Sequence, residues 1–155
     1  MIHHIELYVS NLAQTKQFYD FLFAELGAVV YQQWPNGISY QFEKEYIVFV
    51  QVEAAYKQPP YHRKHIGLNH LAFQVANQQQ VDHLRKKLLT RGVSELYADA
   101  YPFAGGSNHY AFYVVRYKLL DNDDGAFSPA LFYQHPLDHS KNKLFHCVLP
   151  QDLSI

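Results

Sequence analysis

The feature that most constrains this chain is a repeat of itself. Asn69-His70-Leu71-Ala72-Phe73-Gln74-Val75-Ala76-Asn77 falls beside His3-His4-Ile5-Glu6-Leu7-Tyr8-Val9-Ser10-Asn11 at an offset of 66 residues, with histidine, apolar and asparagine positions in step. In both copies the apolar residues alternate with polar ones, the period of a strand with one buried face. Ile5, Leu7 and Val9 share one side; His4, Glu6 and Tyr8 share the other.

Each strand leads into a helix. Ser10 and Asn11 offer N-cap oxygens, and Leu12, Phe18, Leu22 and Leu26 recur at helical spacing before Gly27. In the second copy Val81, Leu84, Leu88 and Leu89 form the inner stripe and Gly92 ends it. Three short β-type runs complete the first module: residues 28–33, a turn at Pro35-Asn36-Gly37, residues 38–42, a charged turn, and residues 46–52. Runs at 93–97 and 109–115 continue the second. The pattern predicts an α+β fold of two pseudo-symmetric βαβββ modules whose curved mixed sheet surrounds a cleft. We read the 155 residues as one domain: module one about 1–56, a linker at 57–67 broken by Pro59-Pro60, module two about 68–136, and a divergent tail at 137–155.

Composition removes several function classes. Thirteen Lys and Arg oppose fourteen Asp and Glu, and the one dense basic run, Arg85-Lys86-Lys87, lies within a helix; this balance argues against a nucleic-acid partner. No apolar run approaches the ~20 residues that span a bilayer, and the first residues lack a secretory signal pattern, so a soluble, cytoplasmic chain without membrane contact is expected. Cys147 is the only cysteine, which excludes an intrachain disulfide and a thiolate zinc cluster. Ten histidines, 13 tyrosines and 11 phenylalanines suit an imidazole-based site and an aromatic-lined pocket or subunit contact.

If a twofold axis relates the modules, His4 and His70 occupy equivalent positions and suit the start of a divalent-metal site. The last strand of module one, Tyr46-Ile47-Val48-Phe49-Val50-Gln51-Val52, has one internal polar residue, Gln51. Its amide either bonds locally or offers an oxygen to the metal.

His4 to Leu12 followed by Phe18-Tyr19, together with His70 to Val75, resembles the opening strands of the vicinal oxygen chelate superfamily of glyoxalases, bleomycin-resistance proteins and extradiol dioxygenases. The stretch from Trp34 to Phe73, through Gly37-Ile38-Ser39-Tyr40 and Pro60-Tyr61-His62-Arg63-Lys64, is similar to small bacterial members. The likeness covers about residues 1–114. It implies a divalent ion (Ni, Co, Zn, Mn or Fe) held by two histidines and two carboxylates or amides, mapping onto His4, Gln51 and His70. It also implies a homodimer and a small oxygenated substrate.

The fourth ligand departs from the family pattern, because no Asp-Pro-Asp turn follows residues 109–114. Two readings stand open. An insertion carries the last strand to residues 130–135, making Gln134 the mate of Gln51; or the last forty residues have diverged, through a change of reading frame, and the fourth ligand is lost or replaced by His135 or an acidic-turn residue such as Asp123. The catalytic base is unassigned; Glu6, on the strand face of His4, competes with a plain solvent-facing role. Trp34, Tyr40, Arg63 and Tyr110 are nominated for the substrate pocket, with His65 and Tyr101 beside them and Ala104-Gly105-Gly106-Ser107 as a flap. Two function classes follow: a metal-dependent lyase or isomerase, and a metal-free protein that binds or sequesters a small molecule. A chain that keeps the fold without a function, and iron-dependent dioxygenase chemistry, rank behind both.

Overall fold

The computed structural model describes residues 2–115 and the backbone of residues 130–134. The acidic turn with Asp123, His135, the side chain of Gln134 and the tail at 137–155 lie outside the described residues. The chain divides into two compact units, one up to Tyr61 and one from His62.

In the first unit β1 (His4–Val9) leads into α1 (Leu12–Glu25), followed by β2 (Val29–Trp34), β3 (Gly37–Gln41) and β4 (Tyr46–Gln51). The sheet order is β1-β4-β3-β2, with β1 parallel to β4 and the other pairs antiparallel. In the second unit β5 (Leu71–Gln74), α2 (Gln78–Thr90), β6 (Ser94–Leu96), β7 (Tyr110–Val115) and β8 (Ala130–Gln134) give the order β5-β8-β7-β6, again with the first strand parallel to the last. The chain is α+β, with one helix and one mixed four-stranded sheet in each unit.

Both helices begin as their sequences dictate. The Asn11 side chain accepts from Gln14 N at 3.0 Å and the Asn77 side chain from Gln80 N at 2.9 Å, each satisfying a donor that has no partner inside the helix. Gly27 and Gly92 follow the two helices with φ of +79° and +75°, the left-handed conformation that closes a helix at low cost for glycine.

The buried stripe of α1 is Thr15, Tyr19, Leu22 and Phe23; Phe18 and Leu26, expected inside, are only half-buried. Aromatic packing decides this. Phe23 is fully buried with its ring centroid 4.7 Å from Tyr19 and 5.1 Å from both Tyr40 and Phe42, and Tyr19 stacks on Phe49 at 4.3 Å. In α2 Val81, Leu84 and Leu88 are buried, as their spacing predicts, while Leu89 is exposed. Arg85, expected on a solvated basic face, instead makes a two-pronged ion pair with Glu95 of β6 at 2.7 and 2.8 Å and lies 4.1 Å over the Tyr101 ring.

Candidate functional site

Each sheet has a face covered by its helix and a face that carries the repeat's histidine. Paired residues in a ladder point the same way, so the histidine face of the first unit runs from His4, Glu6 and Tyr8 of β1 to Tyr46, Val48 and Val50 of β4, then Gln41, Ser39 and Gly37 of β3. The opposite face carries Phe49, packed on Tyr19 of α1. His4 is exposed and stacks on Tyr46, with ring centroids 4.8 Å apart and planes within 8°. His3 meets both rings edge-on, and its Nδ1 lies 3.0 Å from Nδ1 of His4.

Gln51 is not part of that face. It pairs with Val9, five residues along β1 from His4, which at ~3.3 Å per residue separates the two levels by about 16 Å. Its amide is also occupied: Oε1 accepts from Leu12 N at 2.8 Å, while Nε2 donates to the carbonyls of Ser10, Val9 and Val52 at 2.9, 3.2 and 3.2 Å. Of the two fates open to it, the amide has taken local bonding, tying β1 to the start of α1. In the second unit Gln74 pairs with Tyr133, so Gln134 is level with Val75 just as Gln51 is level with Val9. The two glutamines are counterparts, and the backbone puts Gln134 five levels from His70.

The closing-strand residues level with the middle of each opening strand are different ones. Val48 pairs with Glu6, and the equivalent pairing in the second unit is Leu131 with Ala72. Both positions are apolar. Donors on these faces among the described residues include His4, Glu6, Ser39 and Gln41 in the first unit and His70 and Gln74 in the second, and no group of three His, Cys, Asp or Glu side chains among the described residues is arranged to hold a metal ion.

His70 sits in the most organised surroundings. It is half-buried, its Nδ1 lies 2.8 Å from Asn69 Oδ1, and its ring meets Tyr113 of β7 edge-on at 6.1 Å. Asn69 Nδ2 donates to the carbonyl of Arg63 at 3.1 Å. Tyr113 also meets Tyr97, and a Cβ on Gly105 would lie 2.9 Å from the Tyr113 hydroxyl, so the Ala104 to Ser107 loop packs directly against this cluster. Burial, and then the Arg63 cation, hold the His70 pKa below its ordinary value. A depressed pKa means that the unfolded chain takes up this proton more readily. The stability that His70 contributes is therefore full above about pH 6.5 and declines as pH falls below it. Denaturant midpoints at pH 7.5 and 5.5 are expected to differ more for the parent than for His70→Gln.

The nominated pocket residues divide. Arg63 belongs to the His70 turn, and its guanidinium has no ion-pair or hydrogen-bond partner among the described residues. Trp34 pairs with Gly37 on the histidine face of the first unit and lays its indole against that glycine, where any Cβ would overlap the ring. Tyr40 and Tyr110 both turn toward the helices. The Tyr40 hydroxyl donates to Asp20 of α1 at 2.7 Å, and burial followed by this bond raises its pKa. The Tyr110 hydroxyl donates to Asp82 of α2 at 2.8 Å, beside Tyr101, which donates to the same carboxylate. Asn69, Tyr113 and Tyr97 went unnoticed in the sequence. The strand alternation that puts Tyr110 and Phe112 on the helix side was the available signal for Tyr113.

Residues 1–112 match the family model described as the glyoxalase/bleomycin resistance protein/dioxygenase superfamily. The chain belongs to that superfamily. It is 46% identical over 112 residues to the uncharacterized protein YqjT of Bacillus subtilis, covering 72% of this chain and 88% of the relative. The crystal structure of a glyoxalase-like protein from Bacillus halodurans is similar with a TM-score of 0.77 and 42% identity, covering 86% of this chain and 95% of that one. The fosfomycin resistance protein FosX of Listeria monocytogenes, solved with Mn(II) and sulfate, matches with a TM-score of 0.56 and 17% identity over 88% of this chain and 91% of its own; that likeness speaks to the fold alone. No helix among the described residues is long and apolar enough to cross a membrane.

Proposed function

We propose that this superfamily member binds a small, oxygenated, anionic molecule without a resident metal, in the manner of the drug- or metabolite-sequestering proteins of the family. The observation that carries this reading is the apolar Val48 at the closing-strand position level with Glu6 on the histidine face of the first unit, with Leu131 at the matching register position, level with Ala72, in the second. A divalent ion wants charged or amide oxygens there. The Arg63 guanidinium, which has no ion-pair or hydrogen-bond partner among the described residues, supplies a fixed cation suited to a carboxylate or phosphonate, and the neutral His70 ring beside it can accept a proton from a ligand hydroxyl. A cytoplasmic homodimer is part of the same proposal, and light scattering of the purified chain tests its oligomeric half.

Titration calorimetry with small carboxylates and phosphonates, on protein purified without chelator and assayed for metal by mass spectrometry, tests the reading. Saturable binding at less than 0.1 equivalent of metal is expected, with Arg63→Ala weakening it by about tenfold, the worth of one charge-assisted hydrogen bond. Near one equivalent of Ni, Co, Zn, Mn or Fe, lost on His4→Ala or His70→Ala, overturns it. That result would favour the second reading, a metal-dependent lyase or isomerase using His4 and His70. The Asn69 bond to His70 supports this alternative, because metal-binding histidines commonly have their other ring nitrogen held in this way.

A further inference from the structure

We infer that Asn69 is a positioning residue that locks His70 in the tautomer with its proton on Nδ1, leaving Nε2 as the basic nitrogen. The inference rests on the proposed function only for its consequence, since the bond pattern stands by itself. The carbonyl of Arg63 has lone pairs and no hydrogen, so the Asn69 atom 3.1 Å from it is the amide nitrogen. The other end of the same amide is then an oxygen, which can only accept. The Nδ1 of His70, 2.8 Å from that oxygen, therefore donates and carries the proton. A neutral imidazole has one N–H, so Nε2 holds the lone pair.

Free neutral histidine prefers the opposite arrangement, with the proton on Nε2, so the turn inverts the intrinsic preference of the ring. Two backbone-anchored steps achieve this. The Arg63 carbonyl orients the amide, and the amide orients the imidazole. The same turn thus sets both the Arg63 backbone and the acceptor nitrogen of His70, and any ligand meeting Nε2 must offer a proton or a metal rather than a lone pair. The edge-on contact of Tyr113, itself packed against Gly105, limits the freedom of the ring to flip away from Asn69.

The test is nitrogen NMR of the imidazoles in the uniformly labelled full chain at pH 8, with His70 assigned by its loss in His70→Gln. The parent is expected to show a protonated-type Nδ1 and an unprotonated-type Nε2 for His70. Asn69→Asp, which keeps an acceptor, should preserve that pattern. Asn69→Ala should return the ring to the Nε2–H form, with the amide spectrum reporting that the fold persists. A parent His70 in the Nε2–H form, or an Asn69→Ala variant that keeps Nδ1–H, overturns the inference. Should Asn69→Ala fail to fold, the parent and Asn69→Asp spectra decide it. The readout needs no ligand: an inverted tautomer in a protein that binds neither anion nor metal would sink the functional proposal and leave this inference standing.

Discussion

Replacing Gln51 by leucine is expected to cost about 3 kcal/mol of folding stability while leaving the metal content and ligand affinity of the folded protein unchanged. The side chain bridges the end of β4, the end of β1 and the first residue of α1 through one accepted and three donated contacts. Leucine fills a similar volume but strands the Leu12 N–H, a first-turn donor with no partner inside the helix, together with the carbonyls at Ser10 and Val52, while the Val9 carbonyl keeps its bond from Val52 N. A part-buried polar group left unpaired costs roughly 1–3 kcal/mol, and several are orphaned together. Urea unfolding measures the loss. A variant of unchanged stability that had lost bound metal would restore Gln51 as a ligand.

A still larger loss is expected for Phe23→Ala, about 4 kcal/mol, within the range for emptying an aromatic core position. Phe23 is fully buried where Tyr19, Tyr40, Phe42 and Phe49 converge, so its removal opens a cavity lined by rigid rings that cannot collapse into it. Against the 5–15 kcal/mol typical of a domain, this lowers the thermal midpoint by about 12 °C. Phe18→Ala, one helical step off the buried stripe, serves as the contrast and should cost less than half as much. Equal losses for the two would mean that α1 packs with the stripe that its leucine and phenylalanine spacing suggested.

The strand-helix pattern was legible because periodicity is local. Alternation at His4 to Val9, caps at Asn11 and Asn77, and glycines at 27 and 92 each act through neighbours a few residues away, and all appear in the fold with ends shifted by a residue or so. The site was less legible. Gln51 stood out as the polar residue in an apolar strand, and polarity alone could not tell a metal ligand from a backbone brace. Tyr40 and Tyr110 are amphipathic, so their ring character suggested a pocket while their hydroxyls had partners on the helices, at Asp20 and Asp82.

What the sequence by itself determined is the repeat: two copies of a strand and capped helix, each with a histidine on the polar side of its first strand. It could do so because side-chain direction along a strand and around a helix follows from counting residues. What only the tertiary structure decided is which residues from other strands share that polar side. Strand pairing brings Val48, not Gln51, level with Glu6 beside His4, and brings Tyr113 to His70, while the fold of the preceding turn ties the neighbouring Asn69 to the Arg63 carbonyl. Register is a property of two strands together, set by how their buried faces fit, and a shift of one residue would turn every side chain to the opposite face.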